Sequence, residues 1–374
     1  MGLSNVSTEV NKKSIYITGI AGLIGSTLAK YYLKKGWYVT GCDSLIGGYE
    51  TNVPKAIKWQ KIDILDKDFE SSFVRSNYES RSQAPISFDL IIHTAASAHE
   101  GLSVISPHII TQSVLDCTIK MASLAINYKA KLFINCSSMA RYGIAVPPFK
   151  EDMVCLPVDP YGLAKLQSED HLTLLSDIYP EFKYYTVVPH NVCGAQQVYN
   201  DPYRNVLSIM IHQALQGFPI FIYGDGKQLR SFSHVDDCVE AISKLVEIQP
   251  TQKVFNIGPD GNHISILELA NLITARLNSN SPIIHLAGRA QEVKEAYCDS
   301  TLSKTILGYE SKKSVVDIID DIQEFILLNG FKEFNYNLPL EIKSYRIPKT
   351  WSKKLFGKDL KEINTWENEK FISS

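Results

Sequence analysis

The stretch SIYITGIAGLIG, residues 14–25, constrains the fold of this chain more than any other. A short apolar run, SIYITG, reads as a strand. Glycines follow at once, and the pattern LIGSTLAKYYLKKG then reads as a helix that stops at Gly36. Strand, glycine turn and helix in that order bring a helix N-terminus, with its free N–H groups, to the carboxyl end of a buried strand. Gly19, Gly22 and Gly25 let the backbone approach a pyrophosphate and let the helix pack close to the sheet. WYVTGCD (37–43) is a second strand ending in Asp43, 18 residues past Gly25. A carboxylate there can bind both hydroxyls of a ribose and repels a 2′-phosphate. Ser44 and Leu45 follow, with no arginine to receive that phosphate, so the pattern favours NAD over NADP. Asp63, at the end of a third strand (56–64), can reach the adenine amino group, and the same position also suits a solvent-exposed strand end.

The rhythm continues. FDLIIHTAA (88–96) is a continuous apolar fourth strand, as expected of one buried on both faces. A long helical stretch at 107–128 leads to KLFINCSS (131–138), and after a further helix comes YYTVVPHNV (184–192). Strands alternating with helices predict an α/β fold with a Rossmann-type, doubly wound parallel sheet. From about residue 195 the pattern changes. We expect an NAD-binding domain over 1–190, with segments of about 229–258 returning to it. A smaller, interwoven substrate-binding domain is expected over 191–330, followed by an aromatic C-terminal tail over 331–374 that packs on some unidentified surface. A net charge of −2 gives no reason to expect nucleic acid or a membrane as partner. Seven scattered cysteines without a CxxC pair read as reduced thiols, and the N-terminus has no apolar signal region, so the expected location is cytoplasmic. MGLSNVS fits a myristoylation pattern too short to carry weight. No cluster suggests a metal.

DPYGLAK (159–165) puts Tyr161 and Lys165 four residues apart, on one face of a helix. A lysine ammonium beside a phenol stabilises phenolate, and the same spacing also occurs on ordinary surface helices. CSSMARYG (136–143) places Ser138 at the carboxyl edge of the sheet, where such folds bind ligands. Taken together and in order, these fragments resemble the extended short-chain dehydrogenase/reductases, specifically the nucleotide-sugar epimerases typified by UDP-galactose 4-epimerase. The resemblance runs from about Ser14 to about Tyr309. It includes TGIAGLIG, Asp43, HTAA (93–96), SSMARYG, DPYGLAK, HNVCG (190–194), YGDGKQLRSFSHVDD (223–237) and GRAQEVKEAYCD (288–299).

The resemblance implies Ser138, Tyr161 and Lys165 as the catalytic trio. It implies Leu23, Ile24, Ile64, Ala95, Ala96 and Pro189 beside the glycines, Asp43, Asp63, Tyr161 and Lys165 around a tightly held NAD that is regenerated each cycle. Asn191, Arg230 and Arg289 would hold the diphosphate of a nucleotide sugar, with Ser138, Met139, Asn205, Val206 and Tyr223 completing the substrate site. Planar guanidinium forks suit phosphate oxygens. Ala296, seven residues past Arg289, stands where family members tune pocket size; its small side chain favours UDP-GlcNAc/UDP-GalNAc, with UDP-Glc/UDP-Gal as a second pair. Family members commonly pair as homodimers through two long helices, here roughly 103–128 and 159–178.

The departures also bear on activity. Met139 and Ala140 stand where sugar dehydratases carry an Asp-Glu pair, and neither moves a proton. The family's asparagine in the long helix has no match around Gln112 to Thr118. The usual Arg-x-Phe-Asn is Val188-Pro189-His190-Asn191 here, and His190 is read as a structural histidine. The expected reaction is epimerisation at C4, with Tyr161 brought from about pKa 10 towards 7 by Lys165 at about 4 Å and by the nicotinamide charge. A nucleotide-sugar 4-ketoreductase, a C6 decarboxylase and a non-catalytic dinucleotide sensor remain as alternatives.

Overall fold

The computed structural model describes residues 12–78, 87–261, 263–289 and 292–364. The MGLSNVS pattern and Trp366 of the tail lie outside them. Six strands follow one another through the first half of the chain: β1 (Ser14–Thr18), β2 (Tyr38–Asp43), β3 (Lys58–Lys61), β4 (Leu90–His93), β5 (Phe133–Cys136) and β6 (Tyr184–Pro189). With the strand Val254–Ile257 they form one seven-stranded sheet, in which the order is Val254–Ile257, β6, β5, β4, β1, β2, β3. Every pairing in it is parallel. The strands are shorter than the apolar runs that announce them because the runs continue into the loops at the carboxyl edge, where the ligand-facing residues sit.

Parallel strands covered by helices on both faces must be apolar on both faces. Ile15, Ile17, Leu90, Ile92 and Ile134 fill one side, and Tyr16, Ile91, Phe133 and Phe73 the other. Chain order reverses between β1 and β4, which are neighbours although two strands separate them in sequence. A crevice opens outside the carboxyl ends of strands at such a switch. The helix α1 (Leu23–Lys34) follows β1 directly.

The helix Pro107–Asn127 is long and apolar enough to cross a membrane by length and composition. Its inward residues Ile110, Val114, Met121 and Ala122 are spent on the protein core. One π turn, Gln112–Asp116, interrupts it. Beyond β6 the smaller structures are built from short strands. Ile220–Tyr223 pairs with Ile283–Leu286, and Leu229–Arg230 lies between Ile264–Ser265 and Glu295–Ala296. They pack with the helices Val206–Leu215, Ile266–Arg276 and Val315–Asn329 around a separate apolar cluster that contains Leu207, Ile222, Leu269 and Ile319.

Candidate active site

The glycine turn is built for close approach. Gly19 has φ of +70°, and a Cβ on it would lie 2.9 Å from both the Ala95 nitrogen and the Thr94 hydroxyl. A Cβ on Gly25 would lie 2.1 Å from the Gly19 carbonyl oxygen, so α1 can rest on the turn only with glycine there. Gly22 precedes α1 without a side-chain cap, and the helix carries no acidic residue in its first turn. By contrast, the helices Ile266–Arg276 and Val315–Asn329 start with complete capping boxes. The first N–H groups of α1 therefore face the crevice and suit a diphosphate.

Asp43 ends β2 and is nearly buried; its carboxylate accepts hydrogen bonds from the Ala21 and Leu45 nitrogens at 2.9 and 2.7 Å. Burial raises its pKa above the ordinary carboxylate value, against the pull of those bonds and of Arg204. Asp63 lies just beyond β3 and accepts from the Leu65 nitrogen at 2.8 Å. This set fits NAD by its chemistry: a glycine cradle, an uncapped helix start and a strand-end carboxylate. When bound, NAD supplies the hydride acceptor and, in its oxidised form, a positive ring.

One cavity of about 520 Å³ runs along the carboxyl edge of the sheet. Its lining contains Gly19, Gly22, Leu23, Ile24, Gly25, Asp43, Asp63, Ile64, Ala95, Ala96, Ser138, Met139, Tyr161, Lys165, Pro189, Asn191, Asn205, Val206, Tyr223, Arg230 and Arg289. Ala296 stands apart from that lining: it is 2% exposed, pairs with Arg230 across neighbouring strands, and belongs to a buried cluster against which Met139 and Val293 pack. His190 is buried beneath the site, stacked on Tyr142 and bonded through Nε2 to Asn256. Burial pushes its pKa down to about 4, so it is neutral and structural.

Tyr161 and Lys165 lie on the helix Pro160–Ile178. Asp159 caps it, accepting from the Gly162 nitrogen at 2.8 Å, and Pro160 occupies the first turn, where its missing N–H costs nothing. Replacing Asp159 with Ala should lower stability by about 1 kcal/mol, and Asp159→Asn by less, in denaturant unfolding. Lys165 is buried, and its ammonium donates to the Cys136 carbonyl at 2.7 Å; burial lowers its pKa to about 8. The Lys165 Nζ stands 5.8 Å from the centre of the Tyr161 ring.

Burial raises the Tyr161 pKa well above its ordinary value; a hydrogen bond with Ser138 pulls the other way, and the Glu100 carboxylate adds to the rise. Lys165, expected at about 4 Å from the phenol, instead donates to a backbone carbonyl at the end of β5 and lies over the ring. In a dry site desolvation outweighs a cation that lies over the ring. Ser138, at the head of the turn Met139–Tyr142, presents its hydroxyl to the same phenol and accepts from the Ala140 nitrogen at 3.2 Å.

A buried ion pair beneath the trio went unrecognised in the sequence. Arg141 meets Glu169 at 2.7 Å, both almost inaccessible, and the Ser137 hydroxyl donates to the other Glu169 oxygen. Glu169 lies one helical turn past Lys165, so the pair ties the serine loop to the tyrosine helix. Burial raises the Glu169 pKa despite Arg141. The available signals were Arg141 inside SSMARYG and Glu169 at i+4 from Lys165.

On the substrate side, Arg230 donates to the Val293 carbonyl at 2.8 Å. Arg289 stacks over Tyr223, 4.6 Å from its ring centre, and pairs with Glu292 at 3.3 Å. Asn191 adopts φ of +40° and donates to the Ser231 carbonyl, and Asn205 caps the helix Val206–Leu215.

Known proteins are similar to this chain. The UDP-glucuronate 4-epimerase of Thermodesulfobacterium geofontis is 27% identical over 308 residues, 80% of this chain and 91% of that protein. The UDP-N-acetyl-alpha-D-glucosaminuronate decarboxylase of Bacillus cytotoxicus is 30% identical over 74% of this chain and 84% of its own length. The crystal structure of UDP-glucose 4-epimerase with UDP-glucose from Thermotoga maritima superposes with a TM-score of 0.76 at 27% identity, covering 99% of that chain and 84% of this one. The profile of the NAD dependent epimerase/dehydratase family matches residues 15–258, which carry the glycine cradle, Asp43, Ser138, Tyr161 and Lys165 on one sheet edge, and the chain belongs to that family.

Proposed function

We propose that this protein is an NAD-dependent epimerase acting at C4 of a UDP-sugar, with UDP-GlcNAc/UDP-GalNAc as the preferred pair and UDP-Glc/UDP-Gal as the second. The observation that carries the reading is Ser138, Tyr161 and Lys165 converging on the cavity that also holds the glycine cradle and both arginines. Tyr161 takes the proton of the 4-hydroxyl, which Ser138 orients, as the C4 hydrogen leaves as hydride. Arg230 and Arg289 keep hold of the diphosphate while the keto sugar turns, and the same phenol returns the proton after hydride reaches the opposite face. Lys165 holds the nicotinamide ribose and keeps a positive charge in the site.

Ala296 bears on sugar choice indirectly. A larger residue in its buried cluster would disturb the packing of Met139 and Val293, which line the cavity. Met139 and Ala140 leave no carboxyl beside Ser138, which disfavours dehydration and C6 decarboxylation. A homodimer through Pro107–Asn127 and Pro160–Ile178 is part of this proposal, supported by the exposed Leu163, Leu174 and Ile178 on the second helix.

Purified protein incubated with UDP-GlcNAc and no added cofactor should form UDP-GalNAc up to a fixed ratio. Conversion only with a stoichiometric nicotinamide cofactor, leaving a net redox change, would replace the epimerase by the 4-ketoreductase reading.

A further inference from the structure

We infer that the C-terminal segment from Glu333 to Gly357 is a working part of the substrate site: it sets the diphosphate-holding Arg289 through Thr350 and Tyr223, and walls the sugar end with Trp351. The inference rests on the proposed role of Arg289. The segment lies beyond the stretch matched by the family profile, which ends at residue 258.

Its course is held at many points. The Asn335 nitrogen donates to the Asn200 carbonyl at 2.8 Å, and the Ser106 hydroxyl to the Pro339 carbonyl at 2.6 Å. The Glu341 carboxylate accepts from the His108 and Ile109 nitrogens at 2.9 and 3.0 Å, at the start of the helix Pro107–Asn127, where a negative charge also meets the favourable end of the helix dipole. The Ile342 nitrogen donates to the Ile105 carbonyl, and the Gly357 nitrogen to the Gln213 side chain, both at 2.9 Å. The segment thus bridges the helices Val206–Leu215 and Pro107–Asn127, and its Arg346, Pro348, Trp351 and Phe356 line the cavity.

Two consecutive residues of this segment reach the site. Thr350 is fully buried, and its hydroxyl is hydrogen-bonded to that of Tyr223. Tyr223 carries the Arg289 guanidinium on its ring face, so the hydroxyl pair fixes the plane on which the arginine rests. Trp351 is 4% exposed; its indole N–H donates to the Pro202 carbonyl at 3.0 Å, and its ring meets Tyr203 edge-on. It lies in one packed cluster with Tyr161 and Ala140 and contributes to the cavity lining. Arg289 and Trp351 converge at Gly101, where an added Cβ would lie 3.3 Å from one and 3.4 Å from the other. A bonded tyrosine under an arginine and an oriented indole in the cavity wall each fix a polar group at a defined point, which packing alone does not require.

The test uses the full chain with Thr350→Val, Thr350→Ser and Trp351→Phe. Binding of UDP alone is read by calorimetry, KM for the UDP-sugar by turnover, and retained NAD and thermal midpoint as controls. Thr350→Val should weaken UDP about three- to tenfold, the worth of one hydrogen bond, and Thr350→Ser should return it to within about twofold. Trp351→Phe should raise KM for the UDP-sugar severalfold while UDP binding stays within about twofold. Retained NAD should be unchanged in all three. UDP binding by Thr350→Val equal to wild type, or equal losses in the Val and Ser variants, overturns the inference. So does a Trp351→Phe protein that loses UDP and UDP-sugar alike. Wild-type protein that binds UDP but converts no sugar defeats the epimerase reading alone, whereas wild-type protein that binds no UDP removes the diphosphate clamp and defeats both.

Discussion

Tyr161→Phe should lower kcat by about 10²- to 10⁴-fold while leaving the fold and the bound NAD intact, the loss expected when a general base is removed. That range corresponds to about 3–5 kcal/mol of transition-state stabilisation. The substitution deletes one hydroxyl whose partner is Ser138 and leaves the ring in its packed cluster with Ala140, Ala164 and Trp351. Because the proton moves only as the hydride leaves, kcat and kcat/KM should fall together, and KM for the UDP-sugar should change little. Turnover within about tenfold of wild type would falsify the assignment of Tyr161 as the base. Burial holds the phenol above its ordinary pKa in the protein alone.

Arg141→Met should destabilise the protein by about 3–5 kcal/mol, the range for removing one partner of a buried pair. Glu169 would keep only the Ser137 hydroxyl, in a site where both side chains of the pair are 8% exposed. Burial already raises the Glu169 pKa in the presence of Arg141, and without the arginine it rises further. A carboxyl whose folded-state pKa lies above its unfolded value loses stability as pH rises through the folded value. The Arg141→Met protein should therefore sit nearest wild type at low pH and fall behind as pH increases. Adding Glu169→Gln should recover part of the loss and flatten that pH dependence. Denaturant unfolding at several pH values measures both effects; a loss below about 1 kcal/mol at neutral pH would show that the pair is dispensable.

Much of the sheet was legible because its strands are continuous apolar runs with glycine or helical punctuation, and burial on both faces leaves no other composition open to them. The cofactor side was legible for a related reason: close approach demands glycine at 19, 22 and 25, and a strand-end carboxylate at 43 has few other uses. The trio was legible from spacing and order together. Arg141 was not, since a lone arginine in a loop carries no sign of the helix residue it meets 28 positions later. Ala296 was read as tuning the size of the pocket and is not among the residues that line it, because counting along a loop does not tell which of two layers a small residue occupies. The two-residue strands at Leu229–Arg230 and Glu295–Ala296 are too short to show a period. The tail's aromatic residues follow no helical or strand repeat, so composition showed that they pack and could not show against what.

The strand Val254–Ile257 forms the far edge of the sheet, with Val254 opposite Thr186 of β6. Everything between those two residues must be synthesised before that edge is covered. Until then β6 presents a row of unpaired backbone groups, the kind of surface on which chains join one another. Parallel pairing over such a separation in sequence is also slow to form. The glycine cradle, Ser138, Tyr161 and Lys165 are all made early, yet the half of the chain that contains them leaves one sheet edge to be completed by later residues. A product that stops before Val254 would carry Ser138, Tyr161 and Lys165 but lack Arg289 and the strand that covers the β6 edge.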